Sequence, residues 1–208
     1  MMEQRTDEWF TARCGKVTAS ALYKVMAKTK TGWGADRTNY AAQLVTERLT
    51  GRPADSFSNA AMQWGIDTEA QARMAYAFHV DECPVEIGFL DHPRIAWSGA
   101  SPDGLVGLNG MIEIKCPNTA THIATLDGAP IDRKYLYQMQ WQMACAERDW
   151  CDFVSFDPRL PPAMQMHTRR VERDDELLGE LETAVTEFLA EVAETVARLE
   201  ARYMKEAA

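Results

Sequence analysis

Apolar residues recur at helical spacing from residue 174 to residue 206, near the C-terminal end of the chain. This pattern predicts one long amphipathic helix. Its apolar positions are Leu177, Leu178, Leu181, Val185, Phe188, Leu189, Val192, Val196 and Leu199. A second long helix is predicted over residues 58–78, where apolar residues also follow a helical spacing. Those positions are Met62, Ile66, Met74 and Phe78.

Shorter segments show the patterns of further helices and strands. A helix is predicted to begin at Thr18-Ala19-Ser20, because Thr18 is a favourable N-cap residue. Residues 28–36 are polar and contain glycine, which predicts a loop. Other short helices are predicted over residues 7–12, 39–49, 119–126 and 132–147. Strands are predicted over residues 85–90, 95–98, 105–106, 111–115, 150–156 and 164–171.

The order of these elements places a group of strands between helices, which predicts an α/β (α+β) fold. We expect a central mixed β-sheet flanked by helices, with a long C-terminal helix. The sequence leaves open whether the apolar face of that helix packs on its own sheet or on a neighbouring copy. The chain has 208 residues and contains no repeat, low-complexity tract or linker. A single domain over residues 1–208 is therefore predicted.

Charge is distributed unevenly along the chain, whose formal net charge is −9. Residues 1–52 carry a net charge of +4, whereas residues 174–208 carry −7. One interpretation is that a basic inner surface and an acidic outer surface confine DNA to one path. The alternative is that the acidic helix simply has a solvated face. The overall negative charge by itself argues against a nucleic-acid partner, and the basic N-terminal region weakens that argument.

Several classes of protein are disfavoured by composition. No run of about 18 apolar residues is present, so no transmembrane helix is expected. The N-terminal residues lack an apolar signal core, so a cytoplasmic location is expected. The five cysteines are scattered and odd in number, which favours reduced thiols over a disulfide framework. No Cys-x-x-Cys occurs, which disfavours an iron–sulfur cluster.

The strongest chemical signal lies in the predicted strand region, where Ser101-Pro102-Asp103-Gly104 is followed by Glu113-Ile114-Lys115. Glu113 and Lys115 are two residues apart and therefore share one face of a strand. A turn between the two segments would bring Asp103 beside Glu113. Two carboxylates and the Ile114 carbonyl are hard oxygen ligands of the kind that magnesium prefers. Lys115 would then orient a metal-bound water and favour its deprotonated form.

An alternative interpretation is a hairpin with surface charges and one ordinary salt bridge. The context favours the metal site, because Ser-Pro-Asp-Gly specifies a turn and Cys116-Pro117 ends the strand after the lysine. Two acids in a mostly apolar strand region would also be costly without a cation.

With these residues the chain resembles the PD-(D/E)XK nuclease core, and more specifically the lambda-exonuclease-like viral recombinase family. The resemblance extends over nearly the whole chain and includes three further motifs in the same order. These are Arg13-Cys14-Gly15-Lys16-Val17-Thr18-Ala19-Ser20, Trp64-Gly65-Ile66-Asp67-Thr68-Glu69 and Tyr135-Leu136-Tyr137-Gln138-Met139-Gln140.

The resemblance implies that Glu69 supplies a carboxylate to the metal side of the sheet. It also implies that Gln138 and Tyr135, which lie one helical turn apart, contact the nucleophile or the scissile phosphate. The alternative for Glu69 is a solvated helix glutamate, and the alternative for Gln138 and Tyr135 is a structural role.

The same resemblance implies a pocket for a terminal 5′-phosphate. Arg13 would bind the phosphate by paired donors and Ser20 by its hydroxyl. Backbone amides of the helix predicted at Thr18 would add to this pocket. Ser101 would touch the phosphate or merely shape its turn, and the alternative for Arg13 is a surface ion pair. The segments bearing Lys28, Lys30 and Arg37 are candidates for lining a DNA channel.

Members of the family digest linear double-stranded DNA processively from 5′ ends, as ring-shaped homotrimers that work beside a single-strand annealing protein. The resemblance thus implies two magnesium ions, for which manganese would substitute, and a phage or prophage gene expressed in a bacterial cell. The products would be 5′-mononucleotides and a 3′ overhang. Two alternatives remain: a PD-(D/E)XK endonuclease without an end requirement, and a DNA-binding module with an inactive nuclease core.

Overall fold

The computed structural model describes residues 2–30, 32–54 and 59–204. The helices are α1 (Asp7–Arg13), α2 (Leu22–Val25), α3 (Ala35–Thr50), α4 (Ala60–Val80), α5 (Thr119–Leu126), α6 (Arg133–Ala146) and α7 (Asp175–Tyr203). The strands are β1 (Val17–Thr18), β2 (Lys28–Thr29), β3 (Gly32–Trp33), β4 (Leu90–Asp91), β5 (Ser98–Ala100), β6 (Gly104–Val106), β7 (Gly110–Lys115), β8 (Trp150–Phe156) and β9 (Met166–Glu172). Two 3₁₀ turns span Ala19–Ala21 and Pro162–Met164.

The central sheet has the strand order β6-β7-β8-β9. β7 pairs antiparallel with β6 and parallel with β8, and β8 pairs antiparallel with β9. The predicted mixed sheet flanked by helices is therefore confirmed. β7 is buried along its length except at Lys115, because α4 covers one face and α6 lies on the other side. Lys115, the last residue of β7, is therefore the one partly exposed residue of the strand and lies at the edge of the sheet.

A smaller sheet, in the order β1-β5-β4, supports the approach to the central sheet. Val17 pairs with Ser98 in the parallel β1–β5 ladder. This pairing holds the segment after Arg13 beside the strand that leads into Ser101 and Asp103. Gly99 lies in the middle strand, where a Cβ atom would come within 2.3 Å of the Leu90 carbonyl oxygen. β4 approaches β5 this closely because position 99 has no side chain.

The C-terminal helix α7 packs on α2, α3 and α6 of the same chain. Leu181, Val185 and Phe188 are buried in the cluster formed with these helices. The sequence pattern left open whether this apolar face packs on its own chain or on a neighbour, and the structure places it on its own chain. The predicted C-terminal helix is confirmed. No helix in the described part of the chain combines the length and the apolar composition needed to cross a membrane.

The predicted apolar face of α4 is wrong. Met62, Ile66, Met74 and Phe78 are exposed, with Met74 at 67% and Phe78 at 92% of their full accessibility. The helix packs through its Thr68, Ala72 and Tyr76 face, and Ala72 and Tyr76 join the apolar cluster that covers the central sheet. The buried residues recur at four-residue spacing, but two of them, Thr68 and Ala72, are small and only weakly apolar or polar, so hydropathy alone does not reveal such a face.

Four other expectations need correction. The strands predicted over 85–90 and 95–98 are shorter and shifted toward the C-terminus, at Leu90–Asp91 and Ser98–Ala100. At the start of the first segment, Val85 makes only an isolated bridge to Leu105. The predicted loop 28–36 contains the β2–β3 hairpin. Thr18 does not cap an α-helix with its side chain; a 3₁₀ turn follows it, and α2 then spans only four residues. The strand predicted over 164–171 is present but begins at Met166, after the second 3₁₀ turn.

We expect Gly99→Ala to lower the free energy of unfolding by about 1–3 kcal/mol, because its Cβ would collide with a backbone carbonyl that cannot move aside freely. Gly179→Ala is the matched control: Gly179 lies in α7 with no heavy atom within 4 Å of the added Cβ. It should gain about 1 kcal/mol from helix propensity. Urea unfolding of both variants measures the difference. Equal effects would show that the tight contact at Gly99 is absent.

Candidate active site

The two predicted carboxylates meet at the start of the β6–β7 hairpin. Asp103 directly precedes β6, and Glu113 lies on β7. The Asp103 Oδ2 atom accepts a hydrogen bond of 2.6 Å from the backbone N–H of Ile114. This bond fixes the Asp103 side chain against the strand that carries Glu113 and Lys115. The antiparallel hairpin predicted from the turn residues is confirmed.

Glu113 is only 1% exposed, and both of its carboxylate oxygens have partners. Gln138 Nε2 donates to Oε1 at 2.7 Å, and Gln142 Nε2 donates to Oε2 at 2.7 Å. Lys115 forms an ion pair with Oε1. A buried carboxylate is therefore oriented by two amides from consecutive turns of α6 and by one cation from its own strand.

Gln142 was not predicted from the sequence. It lies four residues after Gln138, so both side chains project from one face of α6. That spacing is the signal that would have identified it. The Gln142 Oε1 atom is buried and has no hydrogen-bond partner within the described residues, so the side chain is held through its Nε2 atom, which donates to Glu113 at 2.7 Å and to the Ser101 carbonyl at 3.4 Å.

Negative charge exceeds positive charge at the bottom of the cleft. Burial, together with the charges of Glu113 and Glu69, raises the pKa of Asp103 well above its usual range. Burial disfavours the charged form of Lys115, but Glu113 and Asp103 outweigh this effect and raise its pKa above the ordinary value. Asp103 and Glu113 share one cation, Lys115, and this leaves an electrostatic demand for a further cation beside them.

The donor set matches a hard divalent cation, since it consists of the Asp103 and Glu113 carboxylates with the Ile114 carbonyl between Glu113 and Lys115. Glu69 lines the same cleft. Its carboxylate is engaged by Arg5 and by Arg73, the latter at 2.6 Å. Among residues 2–30, 32–54 and 59–204, no three His, Cys, Asp or Glu side chains are arranged to hold a metal ion. The third carboxylate is thus near the other two but turned toward arginines.

The residues predicted to bind a terminal phosphate lie in the same cleft of about 730 Å³ as the carboxylates. They are Arg13, Ser20 and Ser101. The Arg13 guanidinium lies 3.8 Å from the centroid of the Trp9 ring and makes no hydrogen bond or ion pair with any described residue. Burial lowers the pKa of Arg13 to about 10, so the guanidinium remains charged at neutral pH.

Trp9 is a second residue that the sequence did not single out, since its aromatic side chain gave no signal beyond a core position. Its Nε1 atom donates a hydrogen bond of 2.8 Å to Ser101 Oγ. Trp9 therefore contacts both Arg13, across its ring face, and Ser101, through its indole N–H. One side chain sets the separation of these two polar groups.

Tyr135 also lines the cleft, with the Lys115 Nζ atom 4.9 Å and the Lys134 Nζ atom 4.7 Å from its ring centroid. The predicted pair of Tyr135 and Gln138 on one face of α6 thus faces the carboxylates. Thr18 lies outside this cleft and borders a neighbouring cavity of about 390 Å³ together with Arg13 and Ser20.

Three predicted DNA contacts lie elsewhere. Arg37 is buried and makes a two-pronged ion pair with Glu191 of α7, at 2.6 and 3.0 Å. Its guanidinium is committed to the fold, so the expectation that Arg37 lines a DNA channel needs correction. Lys28 and Lys30 are exposed in the β2–β3 hairpin, outside the cleft. The Lys28 Nζ atom lies 5.0 Å from the ring centroid of Trp33.

Comparison with known proteins agrees with this arrangement. Residues 8–149 match the model of the YqaJ-like viral recombinase domain. The alkaline exonuclease LHK-Exo from Laribacter hongkongensis is 51% identical, with a TM-score of 0.90, and the match covers 97% of this chain and 100% of that one. Its structure in complex with dAMP matches at 52% identity over the same shares, also with a TM-score of 0.90.

Two more distant similarities carry less information about function. A phage-related exonuclease from Haemophilus somnus 129PT is 17% identical, with a TM-score of 0.66 over 88% of this chain and 96% of that one, and shows a shared fold. The uncharacterized protein R354 of Acanthamoeba polyphaga mimivirus is 27% identical over 165 residues, which are 73% of this chain. The match covers only 29% of the mimivirus protein.

The family model covers well over half of the chain, and the resemblance to the lambda-exonuclease-like recombinases is confirmed. Alkaline exonuclease relatives at about half identity support the general activity as well. The chain therefore belongs to the YqaJ-like viral recombinase family, and its role is that of a nuclease.

Proposed function

We propose that the protein is a magnesium-dependent 5′-to-3′ exonuclease. It digests one strand of linear double-stranded DNA to 5′-mononucleotides and leaves a 3′ overhang for recombination by single-strand annealing. The observation that best supports this is one cleft that holds Asp103, Glu113 and Lys115 together with the Arg13 guanidinium, which pairs with no residue that the structure describes. Because the cleavage site and a cation that can bind a terminal phosphate share one cleft, the arrangement favours cleavage of DNA near its end.

Asp103, Glu113 and the Ile114 carbonyl would hold one magnesium ion. Glu69 would contribute to a second after its carboxylate leaves Arg5 and Arg73, and manganese would substitute in both positions. Bound magnesium supplies Lewis-acid stabilisation of the phosphate and lowers the pKa of a coordinated water. The excess of carboxylates over cations around Asp103 supports this assignment.

The protein's own groups hold the reacting atoms in position. Lys115, whose pKa the carboxylates raise, stays protonated; it orients the attacking water and offsets charge that develops on the phosphate. Gln138 and Gln142 keep Glu113 in one rotamer, so its oxygens do not need to reorganise. Tyr135 lies beside Lys115, where it contacts the scissile phosphate or the nucleophile.

Arg13, Ser20 and Ser101 form the proposed phosphate end of the site. Among the described residues the Arg13 guanidinium has no hydrogen-bond partner, which is costly in a partly buried position, and a doubly charged terminal phosphate would satisfy it with paired hydrogen bonds. The hydroxyls of Ser20 and Ser101 add single donors.

Processive digestion requires more than phosphate contacts, because such contacts weaken as salt rises. We propose that three copies close into a ring around the duplex, which head-to-tail interfaces allow. Exposed apolar side chains such as Met74 and Phe78 are of the kind that interfaces bury. The exposed Lys28 and Lys30 would face DNA. A single-strand annealing protein would take up the product strand in the cytoplasm of a bacterial host, from a phage or prophage gene.

The proposed activity predicts different outcomes for three substrates incubated with magnesium. Linear duplex with a 5′-phosphate should lose that strand from its 5′ end, the 5′-hydroxyl duplex should be degraded more slowly, and a closed circle should stay intact. Lys115→Met should lower the rate on linear DNA roughly 100-fold or more, because the charge beside Glu113 is lost. Gel analysis of end-labelled DNA measures all four outcomes.

Cleavage of the circle would instead identify an endonuclease, and no cleavage by folded protein would identify a DNA-binding module. Arg202→Met is a control for loss of positive charge, because Arg202 lies at the end of α7 and not in the cleft. Its rate should match that of the unaltered protein.

Asp103→Asn should separate stability from activity. The raised pKa of Asp103 means that its contribution to stability is fully present at low pH and is lost as pH rises through the raised value. At pH 8 an uncharged Asn should therefore stabilise the metal-free protein by about 1 kcal/mol while abolishing cleavage.

Magnesium provides the second readout for this variant. At a hundredfold excess over its Kd, it should stabilise the unaltered protein by about 2.7 kcal/mol but leave Asp103→Asn unchanged. Thermal unfolding with and without magnesium measures both effects. An equal response of the two proteins to magnesium would exclude Asp103 as a ligand.

Gln142→Met should lower cleavage roughly 10- to 100-fold, because Glu113 loses the donor that orients its Oε2 atom. Gln140→Met is the matched control two residues away. Gln140 is equally buried but binds the Glu172 carbonyl and the Asp174 N–H, remote from Glu113. Its loss should cost about 1–3 kcal/mol of stability and leave cleavage near normal. Similar losses of activity in both variants would contradict the positioning role.

A further inference from the structure

A side chamber of about 330 Å³ opens next to Lys115. Its lining residues come from the 3₁₀ turn, α2, the end of β7 and the first turns of α6. They are Ser20, Tyr23, Lys115, Lys134, Tyr135 and Gln138. Tyr23 and Lys134 do not line the main cleft, so they distinguish the chamber from it. A volume of this size lies at the lower end of the range for small-ligand sites.

The chamber touches both ends of the proposed active site. Ser20 belongs to the phosphate end, whereas Lys115 and Gln138 belong to the cleavage end. A 5′-terminal nucleotide whose own phosphate binds at Arg13 and Ser20, and whose 3′ linkage is cut beside Lys115, must place its nucleoside between these groups. The chamber is a space that borders both, so it is suited to receive that nucleoside.

The lining also has the chemistry of a base site. Two tyrosine rings, Tyr23 and Tyr135, offer faces or edges against which a base can stack, and stacking tolerates every base because each has a π-face. Sequence tolerance is what an enzyme that removes successive nucleotides requires. The Lys134 ammonium lines the chamber, with a 3.5 Å ion pair to Asp132 and the Tyr135 ring centroid 4.7 Å away, and its remaining donors can reach polar edges of the base.

We propose that this chamber holds the base of the 5′-terminal nucleotide, and of the mononucleotide released from it, with Tyr23 as the stacking residue. The inference rests on the proposed exonuclease function and specifies a substrate subsite within it. Tyr23 then contributes to binding through the base, while Arg13 contributes through the phosphate.

Calorimetric titration with two probes in the presence of magnesium tests whether Tyr23 binds the base while Arg13 binds the phosphate. The probes are dAMP and deoxyribose 5-phosphate, which differ only by the base. Tyr23→Ala should weaken dAMP binding roughly 10-fold and leave deoxyribose 5-phosphate unchanged. Arg13→Met should weaken both. Tyr23→Phe keeps the ring and should restore dAMP binding, and Tyr203→Ala removes an exposed tyrosine at the end of α7 as a control.

The inference is overturned if Tyr23→Ala weakens both probes equally, or neither, in protein whose thermal unfolding matches that of Tyr23→Phe. The exonuclease assay is separate from these titrations. Normal end-dependent digestion with no base-selective effect would remove the chamber assignment alone. Base-selective binding without digestion would retain a nucleotide site and remove the exonuclease.

Discussion

The burial of one carboxylate, Glu113, constrains the rest of the site. A carboxylate that is 1% exposed is tolerable only if strong donors surround it, and here β7 supplies one and α6 supplies two. These contacts fix the rotation of α6 against β7. The apolar face of the same helix is fixed as well, because Met139 and Met143 are fully buried in an apolar cluster beside the sheet. Polar and apolar faces of α6 thus specify one placement, and Lys115, Tyr135 and Gln138 converge as a result.

The arginines that contact Glu69 offset part of the negative charge in the cleft. Arg73 contacts Glu69 at 2.6 Å, Glu86 at 2.9 Å and the Asp103 carbonyl at 3.1 Å, so it spans from α4 to the hairpin. Arg5 binds the other Glu69 oxygen. These contacts offset the charge of Glu69, whereas the pKa of Asp103 stays raised. A divalent cation in the cleft would compete with the arginines for Glu69.

The parts predictable from the sequence are those set by local spacing. The Asp103 turn and the Glu113–Lys115 face follow from hairpin and strand geometry, and the C-terminal helix follows from its apolar period. Contacts between distant segments were not predictable: Gln142 meets Glu113 only because α6 crosses β7, and Arg37 meets Glu191 only because α7 packs on α3. The face of α4 was assigned incorrectly because Ala72 and Tyr76 pack on the sheet, while the more apolar Met74 and Phe78 do not.

A continuous series of contacts joins the two ends of the cleft. Arg13 stacks on Trp9, Trp9 donates to Ser101 Oγ, the Ser101 carbonyl lies 3.4 Å from Gln142 Nε2, and Gln142 holds Glu113. Trp9 and Gln142, the two side chains that link these steps, are buried and therefore have few alternative rotamers. The separation between the phosphate end and the cleavage end is therefore a property of the folded protein rather than of the substrate. In the proposed reaction, such a fixed separation would determine where the strand is cut relative to its 5′-phosphate, and hence the length of each released product.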